Sequence, residues 1–481
     1  MNHLQVKFST LTLVFVHVLY VKTTENVIQP DLMKKIQKEG STNIIVTFKF
    51  RTNDTISRFV QETKSTSNRV EKITKLSDEL QKLATSTQKQ VLDFVNTERG
   101  KPKYCILWIT NQLTIRNASF DLVNKIAAVS DVLEIRETRI LLGMPTSNVS
   151  NSNDSMSNNL KPHPDFPSVK HWAALQVKAP DAWEQGYDGT GVTIGIIDSG
   201  VRLTHDCLYD AYVGLENNGW FDPERKSDSP RDDLGHGTSC LSLAVGQFGL
   251  GVAPGSKWMA CLMYDSNLGW MEDYALQCFQ FMICPTDHEG NNKDCSKSPR
   301  VINNSWSYGS DEDDSNMRMI IPIFEALDIL LVFSAGNAGT ACGSVSAPGS
   351  YKEFLGVGGS TIDDFYWGGS GAGPSRTDGS IKPDLVAPGS FIFIANNARQ
   401  GEYVTADGTS FSSPIVAGVI ALMLQKNPRL TKDEIKEILY KSCDRLAVSH
   451  VPCGNVSNDL YPNNRVGYGR ISAIKAINNT P

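Results

Sequence analysis

The sequence predicts an α/β protein, a mostly parallel sheet with helices on both faces, preceded by a small α+β unit. Three observations carry that prediction. Beyond about residue 169, short runs rich in β-branched residues alternate with helical stretches, the order expected when crossover helices link parallel strands. Those runs are continuously apolar rather than alternating, as strands covered on both faces are. Ahead of them, residues 145–167 are so dense in Ser, Asn and Pro that they cannot build a core and read as a linker.

From the N-terminus, the apolar run FSTLTLVFVHVLY at 8–20 follows a weakly basic start and ends before Lys22. It is shorter than the ~20 residues a membrane span needs and reads as an export signal over residues 1–21. No later segment is long and apolar enough for a membrane anchor. Residues 22–144 form the α+β unit. It comprises the strand NIIVTFKF, a helix with Val70, Ile73, Leu76, Leu80 and Leu83 at helical spacing, the strand KYCILWI, the run 112–115, a helix around 120–128 and the strand VLEIRE. After the linker, 145–168, the main domain occupies 169–481. Its strands are VTIGII, WMACLM, Val301 with Ile302, ILLVFS, the FLGVG run and LVA at 385–387.

With 46 basic and 52 acidic residues, 40% hydrophobic and 20% charged residues in 481, the composition is that of a soluble globular protein. A net charge of −6 offers no footprint for nucleic acid, which is excluded as a partner. Export places the ten cysteines in an oxidising compartment where disulfides persist. It also makes Asn53, Asn117, Asn148, Asn153 and Asn455 glycan acceptors, whereas Asn303 sits at a buried strand end.

Three motifs each offer one member of an acyl-transfer site. IGIIDSG puts Asp198 directly after a buried strand, DDLGHGTSCLSLAVG puts His236 at a helix start, and TADGTSFSSPIVAGVIALML puts Ser410 at the head of an apolar helix. A serine hydroxyl needs an imidazole to take its proton, and the imidazole needs a carboxylate to hold its tautomer and stabilise its charge. Pro414 is expected in the first turn of the Ser410 helix, where a missing N–H costs little. SAGNAG after the strand ILLVFS offers Asn337, whose amide would stabilise the oxyanion. His205, His288 and His450 have no comparable company in the sequence, and Ser412 and Ser413 are expected to be structural.

At IIDSG, GHGT, VINNSW, SAGN, PDLVAPG and GTSFSSP, in that order, the chain resembles the subtilisin-like serine proteases. The stretch from CFQFMICPTDHEG to VINNSW resembles the bacillopeptidase branch of that family. The resemblance implies a secreted endopeptidase with a subtilisin-like fold, acting through an acyl-enzyme. Asp198 would orient, His236 act as base then acid, Ser410 attack and Asn337 stabilise the oxyanion. It also implies that protein or peptide substrates pair with strand-like edges at Ser305, Trp306 and Ser307 and at Ser334, Ala335 and Gly336. The N-terminal unit is similar to the family's ferredoxin-like inhibitory propeptide, so a zymogen is expected with its own propeptide as partner. No cofactor is implied for catalysis. The family often holds structural calcium, whose ligands the sequence does not assign.

Some positions depart from the family pattern. Ser239 stands where a second His is usual, Phe411 where Met is common after the nucleophile, and Ile415 where His is frequent. Carboxyl serine peptidases share the GTS-x-x-x-P helix start, but GHGT and SAGN argue against them, and an α/β-hydrolase would need G-x-S-x-G. The rival of another class is a catalytically inactive homologue acting as a secreted binding protein. Among the cysteines, Cys105 lies in the N-terminal unit and leaves nine beyond it. Cys284 with Cys295 and Cys443 with Cys453 are expected to pair, while Cys240 and Cys261 read as buried thiols, since no zinc spacing appears. The acidic run at 310–316 reads as a solvated loop.

Overall fold

The structure, a computed structural model, describes residues 27–64, 68–141, 172–308, 314–398, 400–448 and 450–481. The expected export signal and linker lie outside the described residues. So do Asn148, Asn153 and most of the acidic run.

The N-terminal unit contains α1 (Pro30–Glu39), β1 (Ser41–Phe48), α2 (Thr52–Glu62), α3 (Arg69–Thr97), β2 (Tyr104–Leu107), β3 (Gln112–Ser119), α4 (Phe120–Ala127), β4 (Val132–Glu137) and β5 (Ile140–Leu141). Its antiparallel sheet runs β2-β3-β1-β4. Alternation along β1 decides what each face covers. Ile44 and Val46 enter a core shared with α1 and α4, whereas Ile45 faces a cluster shared with the main domain. On α3, Ile73, Leu76 and Leu80 are fully buried in that shared cluster. Val70, on the same periodic stripe, is 39% exposed. Both α1 and α2 are absent from the sequence reading.

The main domain continues with α5 (Trp172–Gln176), α6 (Ala179–Glu184), β6 (Thr193–Asp198), β7 (Trp220–Phe221), α7 (His236–Val245), β8 (Lys257–Leu262), β9 (Tyr264–Asp265), β10 (Gly269–Met271) and α8 (Glu272–Ile283). Next come β11 (Val301–Asn304), α9 (Ser315–Ala326), β12 (Leu330–Ser334), β13 (Leu355–Ser360), β14 (Leu385–Pro388), β15 (Ile392–Ala395) and β16 (Tyr403–Ala406). The chain ends with α10 (Thr409–Lys426), α11 (Lys432–Lys441), β17 (Cys443–Asp444), β18 (Arg470–Ile471) and α12 (Ala473–Asn479).

Nine strands form one sheet in the order β17-β18-β14-β13-β12-β11-β6-β8-β7, parallel throughout except for the β17–β18 pair. Successive side chains serve opposite faces. Ile196, Val301 and Val332 enter one cluster with α7 and α10, while Ile197, Ile302 and Phe333 enter another with α8 and α9. Helix α10 is apolar on every side and buried from Thr409 to Leu424, as a helix without a polar face must be.

Three disulfides hold the loops: Cys261–Cys278, Cys284–Cys295 and Cys342–Cys453. The expected Cys284 pairing is present. The other two differ from the sequence reading. Cys453 pairs with Cys342, far away in sequence but brought close by the fold, and Cys443 is free. Cys261 is no thiol, because α8 carries Cys278 back over β8.

Candidate active site

The sheet's parallel strands end on one rim, and the chain leaves that rim at each candidate residue. Strand β6 ends in Asp198, β11 leads into Ser305, β12 leads into Asn337, α7 opens at His236, and α10 carries Ser410 as its second residue. Close approach of α7 to β6 depends on Gly237. A Cβ there would lie 2.1 Å from the Gly200 carbonyl oxygen and 3.1 Å from the Asp198 Cβ.

Asp198 is fully buried. Its Oδ1 faces His236 Nδ1 at 2.8 Å and accepts the Ser199 N–H at 2.7 Å, while Oδ2 is buried without a hydrogen-bond partner. Burial disfavours a charged His236 ring, yet the adjacent Asp198 carboxylate outweighs it and holds the imidazole well above its ordinary range. Trp270 stands edge-on to the ring at 6.0 Å between centroids, and Phe411 lies at 6.5 Å.

Asp232 is a positioning residue that the sequence reading missed. Its carboxylate accepts from Gly235 N–H (2.6 Å), Thr238 N–H (2.9 Å), Thr238 Oγ1 (2.6 Å) and Ser199 Oγ (2.9 Å). It thereby ties the start of α7 to the residue after Asp198. The available signal was an acid just ahead of GHGT, the place where orphan N–H groups of a helix start need an acceptor. Ser239, in place of the family's usual His, donates to the Ala395 carbonyl at 2.7 Å.

Pro414 lies past the first turn of α10, contrary to expectation. A proline there removes the N–H that would bond the Ser410 carbonyl four residues back. Ser305 supplies the replacement, its Oγ donating to Ser410 O at 2.7 Å and lying 3.0 Å from Ser413 Oγ. The Ser410 hydroxyl in turn donates to Ser305 O at 3.2 Å. No His236–Ser410 hydrogen bond is present among the described residues. Such bonds are commonly loose until substrate closes the site. Cys240, one turn along α7, lies 3.8 Å from both ring nitrogens of His236.

Thr409, the residue before Ser410, orients Asn337. The Asn337 Oδ1 accepts both the Thr409 N–H (2.9 Å) and the Thr409 hydroxyl (2.8 Å), which leaves Nδ2 as the group free to donate, 3.5 Å from where a Cβ on Gly408 would stand. Gly336 turns the chain there with φ +89°, and a Cβ would meet Ser346 Oγ at 2.4 Å.

Ser305, Trp306, Ser307, Ser334 and Ala335 are all buried beside this site. The stretch 334–336 is not a free edge. The Ala335 N–H donates to Val357 O, the Ala335 carbonyl accepts from Ser346 N–H, and the Gly336 carbonyl accepts from Gly371 N–H. The edge that an extended segment does occupy is β10. There Trp270 and Met271 pair antiparallel with Leu141 and Ile140 of the N-terminal unit.

His205, read as solitary, has partners: Asp206 Oδ1 at 2.9 Å, Cys207 Sγ at 3.3 Å and the Glu402 carbonyl at 3.1 Å. Two groups of titratable side chains among the described residues have metal-ligand spacing, Asp198/His236/Cys240 and His205/Asp206/Cys207. Their imidazole and thiol donors do not fit the oxygen cage that calcium takes. Among the described residues no helix is long and apolar enough to cross a membrane.

A carboxylate–imidazole pair at the carboxyl rim of a parallel sheet, with a helix-borne serine and an oriented amide in the same region, has the components of a serine-peptidase type of site. The subtilase family profile matches residues 189–469, and the chain belongs to that family. It is 30% identical to Bacillopeptidase F of Bacillus subtilis over 95% of this chain and 32% of that protein. It is 27% identical to a subtilisin of Bacillus pumilus over 57% of this chain and 91% of the relative. A calcium-dependent protease of Trichormus variabilis is 29% identical over 62% of this chain and 47% of its own length. The chain thus spans about a third of Bacillopeptidase F.

Proposed function

We propose that the protein is a secreted serine endopeptidase made as a zymogen. The observation that carries the reading is the 2.8 Å contact between Asp198 and His236, placed beside a serine whose neighbour Thr409 orients Asn337. Ser410 Oγ turns from the Ser305 carbonyl to His236 Nε2, loses its proton and attacks the scissile carbonyl. The imidazolium is stabilised by Asp198, and Asn337 Nδ2 donates to the developing oxyanion. His236 then returns the proton to the leaving amine, and water repeats the sequence on the acyl-enzyme. Ser305–Ser307 and Ser334–Gly336 wall the site, while β10 offers backbone groups to an extended substrate by strand addition.

In the described state that edge is taken by β5, and the N-terminal unit shares an apolar cluster with the main domain. This supports its role as an inhibitory propeptide, released after cutting within the linker at 145–168. Secretion and glycosylation rest on the leader, the disulfides and the exposure of Asn53, Asn117 and Asn455.

The test is labelling by a fluorophosphonate. Processed protein should label and hydrolyse casein, and Ser410→Ala should do neither. Absence of labelling after the N-terminal unit has dissociated would favour the binding-protein alternative.

A further inference from the structure

Each of three arginines on the N-terminal unit meets a carboxylate of the main domain. Arg136 is bidentate to Glu272 at 2.9 and 2.6 Å, with both side chains at 5% exposure or less. Arg116 Nη2 lies 2.6 Å from Asp273 Oδ2, and Arg139 Nη1 lies 3.1 Å from Asp314 Oδ2. A more exposed pair, Lys293 with Asp78, has the opposite polarity. Buried charges need partners, and the cations at this place come from the N-terminal unit. Asp273 is fully buried and its Oδ1 has no hydrogen-bond partner even in the docked state.

The carboxylates adjoin the strand edge. Glu272 and Asp273 follow β10 directly, and Arg139 directly precedes β5. The backbone ladder continues through them: Glu272 N–H donates to the Arg139 carbonyl at 3.3 Å, and Arg139 N–H donates to Glu272 Oε2 at 3.1 Å. A peptide that replaces β5 on β10 therefore brings the residue in the Arg139 register against Glu272 and Asp314.

We propose that Glu272 and Asp314, with Asp273 adjacent, form a cation subsite of the processed peptidase. It receives an Arg or Lys side chain one residue N-terminal to the pair of substrate residues that lie opposite Trp270 and Met271. The substrate class is then extended polypeptide with a basic residue upstream of the cleaved bond, and the N-terminal unit inhibits partly by filling that subsite with its own arginine. The inference rests on the peptidase reading above.

The experiment uses the full chain, expressed and allowed to process. Internally quenched peptides differ at one upstream position, Arg or Glu, scanned along the non-primed side, together with a short peptide lacking upstream residues. One position should show an Arg over Glu preference of about tenfold or more in kcat/KM, the size of a charge-assisted hydrogen bond. The preference should shrink at about 0.5 M salt. It should collapse toward unity in Glu272→Gln and in Asp314→Asn, which keep an acceptor oxygen for Asn316 and for the α9 cap. The ratio is taken within each enzyme, so a general loss of activity cancels, and if either variant misfolds, the salt titration of wild type decides. Cleavage of the short peptide with no Arg preference at any position, or with one that neither salt nor substitution alters, overturns the subsite alone. No cleavage of any peptide overturns the peptidase reading and the subsite with it.

Discussion

Asp198→Asn tests the electrostatics of the site most directly. In the wild type, Oδ1 serves two donors, His236 Nδ1–H and Ser199 N–H. An asparagine therefore keeps its carbonyl oxygen at that point and puts its NH2 where the unpartnered Oδ2 now lies. The imidazole tautomer is retained, and what disappears is the negative charge. At the 2.8 Å contact and an effective dielectric of about 20, Coulomb's law assigns roughly 6 kcal/mol to that charge when His236 becomes imidazolium. This corresponds to a fall of about four orders of magnitude in kcat. The pH profile supplies a second readout. Asp198 holds His236 well above its ordinary range, so wild-type kcat/KM should fall as pH drops through that raised value. Without the charge, the burial that remains favours the neutral ring, and the acid limb should move to lower pH. Stability follows the opposite sign. A raised histidine pKa contributes stability in full below the unfolded value of about 6.5 and loses it as pH rises through the folded value. Wild type should lose this stability at alkaline pH, and the variant should have none of it to lose. Kinetics on a quenched peptide from pH 5 to 10, with chemical denaturation alongside, measure both. A loss under tenfold, or an acid limb that stays in place, would refute the assignment of Asp198 and His236.

Asn337→Ala should cost roughly 3 to 4 kcal/mol in the barrier, seen in kcat with KM little changed; a fall confined to KM would mean that Asn337 only binds substrate. Arg136→Gln, made in the Ser410→Ala background so that the chain stays uncut, leaves Glu272 buried with less compensation. It should destabilise the docked state by about 3 kcal/mol or more in denaturant titrations, and a change under about 1 kcal/mol would count against the buried pair. Cys453→Ser opens a disulfide spanning 111 residues and should lower stability by about 2 to 5 kcal/mol, whereas Cys443→Ser should do little. Peroxide should spare activity, because Phe411, unlike methionine, forms no sulfoxide; rapid inactivation reversed by a sulfoxide reductase would contradict this.

The main strands were legible because a strand covered on both faces must be apolar throughout, and β6, β8, β11, β12, β13 and β14 lie within a residue or two of their sequence signals. The two-residue strands β7, β17 and β18 carry too few side chains to show a pattern. Helix α1 escaped notice because its polar residues dominate, with only Leu32 and Ile36 buried. Cys342–Cys453 was illegible for a different reason, since sequence proximity favoured Cys443 and only the folded loops bring Cys342 within bonding reach.

The amino-acid sequence alone determined the family and the order in which Asp198, His236, Asn337 and Ser410 occur along the chain, because each stands in a motif that combines residue type with backbone freedom. Tertiary structure decided what those residues do for one another. Ser305 replaces the hydrogen bond that Pro414 removes, Asp232 locks the start of the His236 helix, and β10 carries the occupied edge. Three arginines of one unit meet three carboxylates of the other. Each is a contact between distant parts of the chain, and spacing along a sequence carries no record of which distant groups folding brings together.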